Sequence, residues 1–302
     1  RNIGSTCGSS GGNNVAVGQY ALSDVTSGGQ NVAIGNRALI NLRHGIQSTA
    51  LGYGAGYYAS GSENTFLGFN AGYGGTSSAP YSSGIRNLAV GRSALVNFTT
   101  GGYNTAIGYG AGYNISSGSY NVVMGYNAGY SLGGTQSNVM IGDYAGRSSN
   151  TINNRHVYVG YAAGRYVDTG LANVAIGYEA MESLSGTDNN ASYNVAVGYQ
   201  ALEKITDSNR NTAVGRAAGQ NIAGGTGMNT FIGQSAGLNS ITSAYNVMVG
   251  LNAGNVATDI DGTVLIGYNA GKNTTADYTI SIGYEAGYSL TSGAGNTLMG
   301  YR

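Results

Sequence analysis

Residues 104–112 read NTAIGYGAG, and residues 121–129, one 17-residue step further on, read NVVMGYNAG. Residues 173–181 repeat the pattern as NVAIGYEAM. Three glycines in five positions after a small apolar run could mark a phosphate-binding loop. That motif needs its glycines once, between a strand and a helix. Here the pattern Asn-x-small-aliphatic-Gly-x-x-Ala begins at 14, 31, 48, 64, 87, 104, 121, 138, 156, 173, 194, 211, 229, 246, 263, 279 and 296. No helical periodicity follows any of them, so the glycines are structural.

With the Asn as position zero, Gly occupies +4 in every repeat and Ala +7 in every complete one. Position +3 is always Val, Ile, Leu or Met, and +1 is nearly always Val or Thr. Ser48, His156, Thr263 and Thr279 replace the Asn. A partial repeat enters at Arg1 and places Cys7 in the Ala slot. The unit is too short for a helix pair or a propeller blade. Its β-branched residues favour strand, and its Gly, Asn and Ser favour turns. The spacing therefore predicts an all-β chain: a parallel β-solenoid, or β-roll, of about 18 rungs with a 17-residue repeat. Each rung is expected to hold a short strand, a turn, a second short strand and a looser return. Stacked at about 4.8 Å per rung, they make a rod on the order of 85 Å long. Rungs touch only their neighbours, so residues 1–302 read as a single repeat domain.

Composition agrees. Of 302 residues 54 are Gly and 25 are Tyr, and only 9% are charged, against about 25% in ordinary domains. The formal net charge is zero, which leaves no electrostatic footprint for nucleic acid or an anionic membrane. One cysteine allows no intrachain disulfide, and no apolar run is long enough for a membrane helix.

Side chains alternate along a strand. The invariant aliphatic at +3 suggests that +3 and +1 face inward, with Ala at +7 and the aliphatics at +11 (Val25, Leu42, Phe98, Ile115, Leu184, Ile205, Ile222) completing the interior. Position +2 then faces outward, although it carries Phe66, Met140, Tyr158, Phe231, Met248 and Leu265. Such a stripe is an expected inter-chain contact, covered by another copy of the rod. The competing reading reverses inside and outside.

Three columns are structural candidates: Asn104 and Asn121, Gly108 and Gly125, Ala111 and Ala128. The Asn column suggests a hydrogen-bonded ladder, and the Gly column a bend or close backbone approach. At +5 an aromatic column includes Tyr109, Tyr126, Tyr161, Tyr178, Tyr199, Tyr268 and Tyr284; it reads as stacking or a seam, with a carbohydrate platform as the alternative. Two longer rungs hold insertions, GGTSSAPYSSGIR at 74–86 and SGTDNNASY at 185–193. They offer Pro80, Tyr81, Arg86, Asp188, Asn189 and Asn190 as candidate receptor-facing residues. No Cys or His cluster has metal-ligand spacing, no catalytic Ser-His-acid set appears, and the acids are scattered. The expectation is no catalytic residue, no cofactor and no metal.

The rung core NTAIG, NVAIG or NVAVG, followed by Tyr and Ala, resembles the head repeats of trimeric autotransporter adhesins and the shaft repeats of bacteriophage tail fibres. The resemblance implies a β-roll, a side-by-side homotrimer, an extracellular location on a cell surface or virion, and attachment to a carbohydrate or protein receptor. The rungs here are longer than those of adhesin heads, and no heptad stalk or anchor is seen. The expected function is a structural shaft or head. A filament stacking end to end is one alternative. An ice-binding solenoid is another, disfavoured because the Thr residues at +1 are expected to face inward.

Overall fold

The computed structural model describes residues 12–75, 77, 81–149, 155–184 and 189–302. The partial repeat around Cys7 lies outside them. The chain is all-β, a parallel β-solenoid of 17 three-residue strands spaced mostly 17 residues apart. It forms two compact units, Arg1–Asn154 and Arg155–Arg302. The first carries strands β1 (Val15–Val17) to β8 (Val139–Ile141), the second β9 (Val157–Val159) to β17 (Thr297–Met299).

Within each unit every strand pairs in parallel with the next, column on column: Thr105 with Val122 in the first, Val247 with Val264 in the second. The longer rungs keep register, with Thr65 opposite Leu88 and Val174 opposite Val195. Their extra residues are therefore absorbed outside the strand.

One strand per rung is formed, not two. The expected second strand is a run of overlapping turns in which +6 and +8 are left-handed, as at Asn127 and Leu95. In one rung the Ala111 N–H donates to the Gly108 carbonyl, Tyr113 to Gly110 and Ile115 to Gly112. The same wall still bonds from rung to rung: Gly112 N–H donates to the Ala128 carbonyl at 2.9 Å. Backbone donors and acceptors are thus satisfied without extended geometry.

The direction of the strand is the principal correction. Position +2 faces inward. Phe66, Met140, Tyr158, Phe231, Met248 and Leu265 are all fully buried within the single chain, so they are core and not an inter-chain stripe. No residue at +1 or +3 is buried. The interior admits one column per strand, the middle residue of three, and that column meets the wall at +8. A Cβ on Gly72 would lie 2.1 Å from the Phe66 ring, and one on Gly237 2.3 Å from the Phe231 ring. Large residues at +2 accordingly face Gly at +8, whereas Ala33, Ala89 and Ala196 face Leu39, Leu95 and Leu202. The remaining core follows expectation: the +7 alanines are buried, as are Val25, Leu42, Phe98, Ile115, Ile205 and Ile222. Leu184 is exposed instead; in its longer rung, Ser183 lies buried and its hydroxyl donates to the Ile205 carbonyl.

Candidate functional site

The Asn column is a buried ladder. Asn121 Nδ2 donates to Asn104 Oδ1 at 3.0 Å and to the Thr135 carbonyl at 2.9 Å. Its own Oδ1 accepts from the Asn138 backbone N–H at 3.1 Å and from Asn138 Nδ2 at 2.9 Å. Both side-chain polar atoms of Asn121 are thus committed internally. The +4 glycines mark close backbone approach. Gly108 has φ +134°, and a Cβ there would lie 2.4 Å from the Gly125 carbonyl oxygen, a contact no other residue could accept.

The +5 aromatics stack, as expected. Tyr109 and Tyr126 lie 5.2 Å apart at 16°. Tyr161, Tyr178 and Tyr199 continue at 5.1 and 5.3 Å, and Tyr268, Tyr284 and Tyr301 at 4.9 and 5.2 Å. The Arg92 guanidinium sits 5.5 Å from Phe69 and 5.6 Å from Tyr109, bridging a break in the column. Rings stacked this way cover each other's faces and present edges to water. A sugar platform needs open faces, so the geometry favours stacking over a carbohydrate site. A second aromatic column, not anticipated, flanks the strand at −1: Tyr103 and Tyr120 stack at 4.9 Å, and Tyr193, Tyr245 and Tyr278 are exposed. Reading −1 as a column would have revealed it.

Between these columns, the strands turn an apolar face outward. Val17, Leu51, Ile141, Ile176 and Ile232 are 37–48% exposed. Across all 17 strands, +1 and +3 hold only Val, Ile, Leu, Met and Thr.

Pro80 and Asp188 lie outside the described residues. Asn189 is buried, its Nδ2 donating to the Ile205 carbonyl at 2.7 Å, so it braces the rung and does not face a receptor. Tyr81 stacks on Tyr58 at 6.0 Å beneath the Arg43 guanidinium. Exposed Arg86 pairs with Glu63 at 2.8 Å and donates to the Tyr103 hydroxyl. Asn190 is exposed beside Thr169.

Two polar groupings escaped the sequence reading. Glu179, Glu182 and Glu203 bring carboxylate oxygens within 4.8 Å of one another; these are the residues that could accommodate a cation. Neighbours already engage them: Arg165 bonds Glu182 at 3.3 Å, Gln200 bonds Glu179 at 2.9 Å, and Gln220 bonds Glu203. Burial, then the Glu179 charge, raises the Glu182 pKa. Aligning +6 and +9 across consecutive rungs would have found the cluster. His156, in an Asn slot, is fully buried, stacks on Tyr158 at 4.7 Å and accepts the Asn173 backbone N–H at 3.1 Å. Burial pushes its pKa down to about 3, so it is neutral at pH 7. Among the described residues no helix is long and apolar enough to cross a membrane.

Comparison with models of known protein families and with curated protein sequences found no match to either.

Proposed function

We propose that this chain is a non-enzymatic structural module, the shaft or head of an extracellular fibre or adhesin, and that it acts as a homotrimer. The observation that carries the reading is the commitment of side-chain chemistry to the repeat itself. Asn, Gly, Ala and +2 residues are spent joining each rung to the next, from Asn104 to Asn138 and from Asn194 to Asn246. The polar atoms of this column are used to hold the stack together. Such a module holds attachment loops at a distance, and a carbohydrate or protein receptor would meet exposed Arg86 and Asn190 and half-buried Tyr81.

The test is the native mass by light scattering, with electron microscopy of the same sample. Uniform particles of three 30.6 kDa chains support the proposal. Long polydisperse filaments favour end-to-end assembly instead, and a monomer refutes both. Ice binding gains one point, since Thr at +1 faces outward. Thr fills only six of 17 such positions and never more than two in succession, which is no regular hydroxyl array.

A further inference from the structure

We propose that the outward sheet face, formed by +1 and +3, is the surface on which copies of this chain dock against one another. The proposal rests on the fibre reading above and names the contact it uses.

A strand apolar on both faces is normally covered on both. Here the inward face packs at +2, and the other, with Ile34, Leu51, Ile141, Ile176, Val214 and Ile232, meets water in the single chain. A second copy fits this face for three reasons. The face bears no charge at any +1 or +3 position, so two such faces meet without desolvating an ion. Its side chains recur at the strand spacing, about 4.8 Å, and another solenoid of the same rung supplies the same period, so +3 side chains of one copy can seat between those of the other along the face of each unit. The area also suffices. Three residues per strand give the eight strands of the first unit and the nine of the second on the order of 400 Å² apiece, and docking through both faces would bury about the 800 Å² per partner of a standard interface. The surroundings match interface anatomy, an apolar centre with aromatic and polar margins. Tyr columns at −1 and +5 flank the strands, and Arg86, Arg92, Arg210 and Arg216 lie in those same flanking columns.

The experiment uses the full chain with Leu51→Lys and Ile232→Lys, one substitution in each unit, and Ile241→Lys as a control at an exposed aliphatic outside the strands. Far-ultraviolet circular dichroism checks the fold. The expected result is an assembled parent and control, and a double variant at 30.6 kDa whose association is weakened at least 100-fold. Cys7→Ser/Ile232→Cys, which keeps the face apolar, should give covalent multimers with a short bifunctional thiol reagent; Cys7→Ser/Ile241→Cys should not. If the folded double variant stays assembled, or only Ile241→Cys cross-links, the docking face is overturned while the fibre reading stands. If the parent itself is monomeric, the fibre reading fails and this proposal with it.

Discussion

Phe231→Ala isolates the packing logic of the rung. The ring is fully buried and fills the space between two glycines: a Cβ on Gly219 would lie 2.7 Å from it, and one on Gly237 2.3 Å. Removing it opens a cavity that neither glycine can fill. Phe→Ala in a core costs about 3–5 kcal/mol. Adding Gly237→Leu recreates the arrangement of Ala196 and Leu202, where Leu sits at φ +51°. A buried Leu returns about 1.5–3 kcal/mol, less about 1–2 kcal/mol for a left-handed L-residue. The double variant should thus recover about 1 kcal/mol over the single one. Urea unfolding followed by circular dichroism measures both, and hydrogen exchange of neighbouring rungs locates the loss, since repeats unfold locally. Outward Ile232→Ala should cost under about 1 kcal/mol at protein concentrations low enough to disfavour association. The reasoning is refuted if Phe231→Ala costs less than Ile232→Ala, or if Gly237→Leu destabilises further in the Phe231→Ala background.

Three further outcomes are expected. Gly108→Ala should destabilise by more than about 2 kcal/mol, because backbone must move away from a Cβ at 2.4 Å; an unchanged urea midpoint would contradict the close-approach reading. Asn121→Ala strands the Thr135 carbonyl and the Asn138 N–H and should cost about 2–4 kcal/mol, whereas exposed Asn190→Ala should be silent in the same assay. His156 has a folded pKa of about 3 against 6.5 for a free histidine. As pH falls below 6.5 the unfolded state takes up a proton that the folded state refuses, so stability drops toward pH 3 by up to about 5 kcal/mol. His156→Asn, which restores the ladder residue, should flatten that part of the pH–stability curve; an unaltered slope would place its origin elsewhere.

The rung was legible because its columns are short and fixed: Gly at +4 and Ala at +7 announce close walls, and Asn at zero announces a ladder. The orientation of the strand was misread because aliphatic character at +3 was equated with burial. In a three-residue strand alternation allows either one inward residue or two, and propensity alone does not choose between them. The deciding signal lay in paired columns. Phe66 with Gly72, Met140 with Gly146 and Phe231 with Gly237, against Ala89 with Leu95, show that +2 and +8 are never both large, while Ala50 with Gly56 and Ala213 with Gly219 leave room that Phe66 and Phe231 of the next rung help to fill. Positions that avoid being large together face one another, since a packed interior tolerates no excess volume. The second wall was misassigned for a related reason. Left-handed Leu95, Leu202 and Met181 carry no turn signature of their own, and their conformation is imposed by the rungs on either side. The glutamate cluster was hidden because its members come from two different rungs.

The two outward rows are not equivalent, and the difference bears on what covers them. Thr is as good a strand former as Val, and it replaces Val freely at +1, at Thr49, Thr65, Thr105, Thr212, Thr230 and Thr297. If +3 answered only to strand propensity, it would admit Thr equally. It never does: from Val17 to Met299 it holds Val, Ile, Leu or Met. The single chain leaves that row at least partly exposed at every strand, and the exclusion of a hydroxyl there is what the docking proposed above would require. On that proposal the +3 row forms the dry centre of the interface and +1 its margin. It follows that Ile232→Lys should weaken association far more than Thr230→Lys one strand position away, as read from native mass against protein concentration. Equal effects, or a larger one from Thr230→Lys, would remove the distinction and the argument built on it.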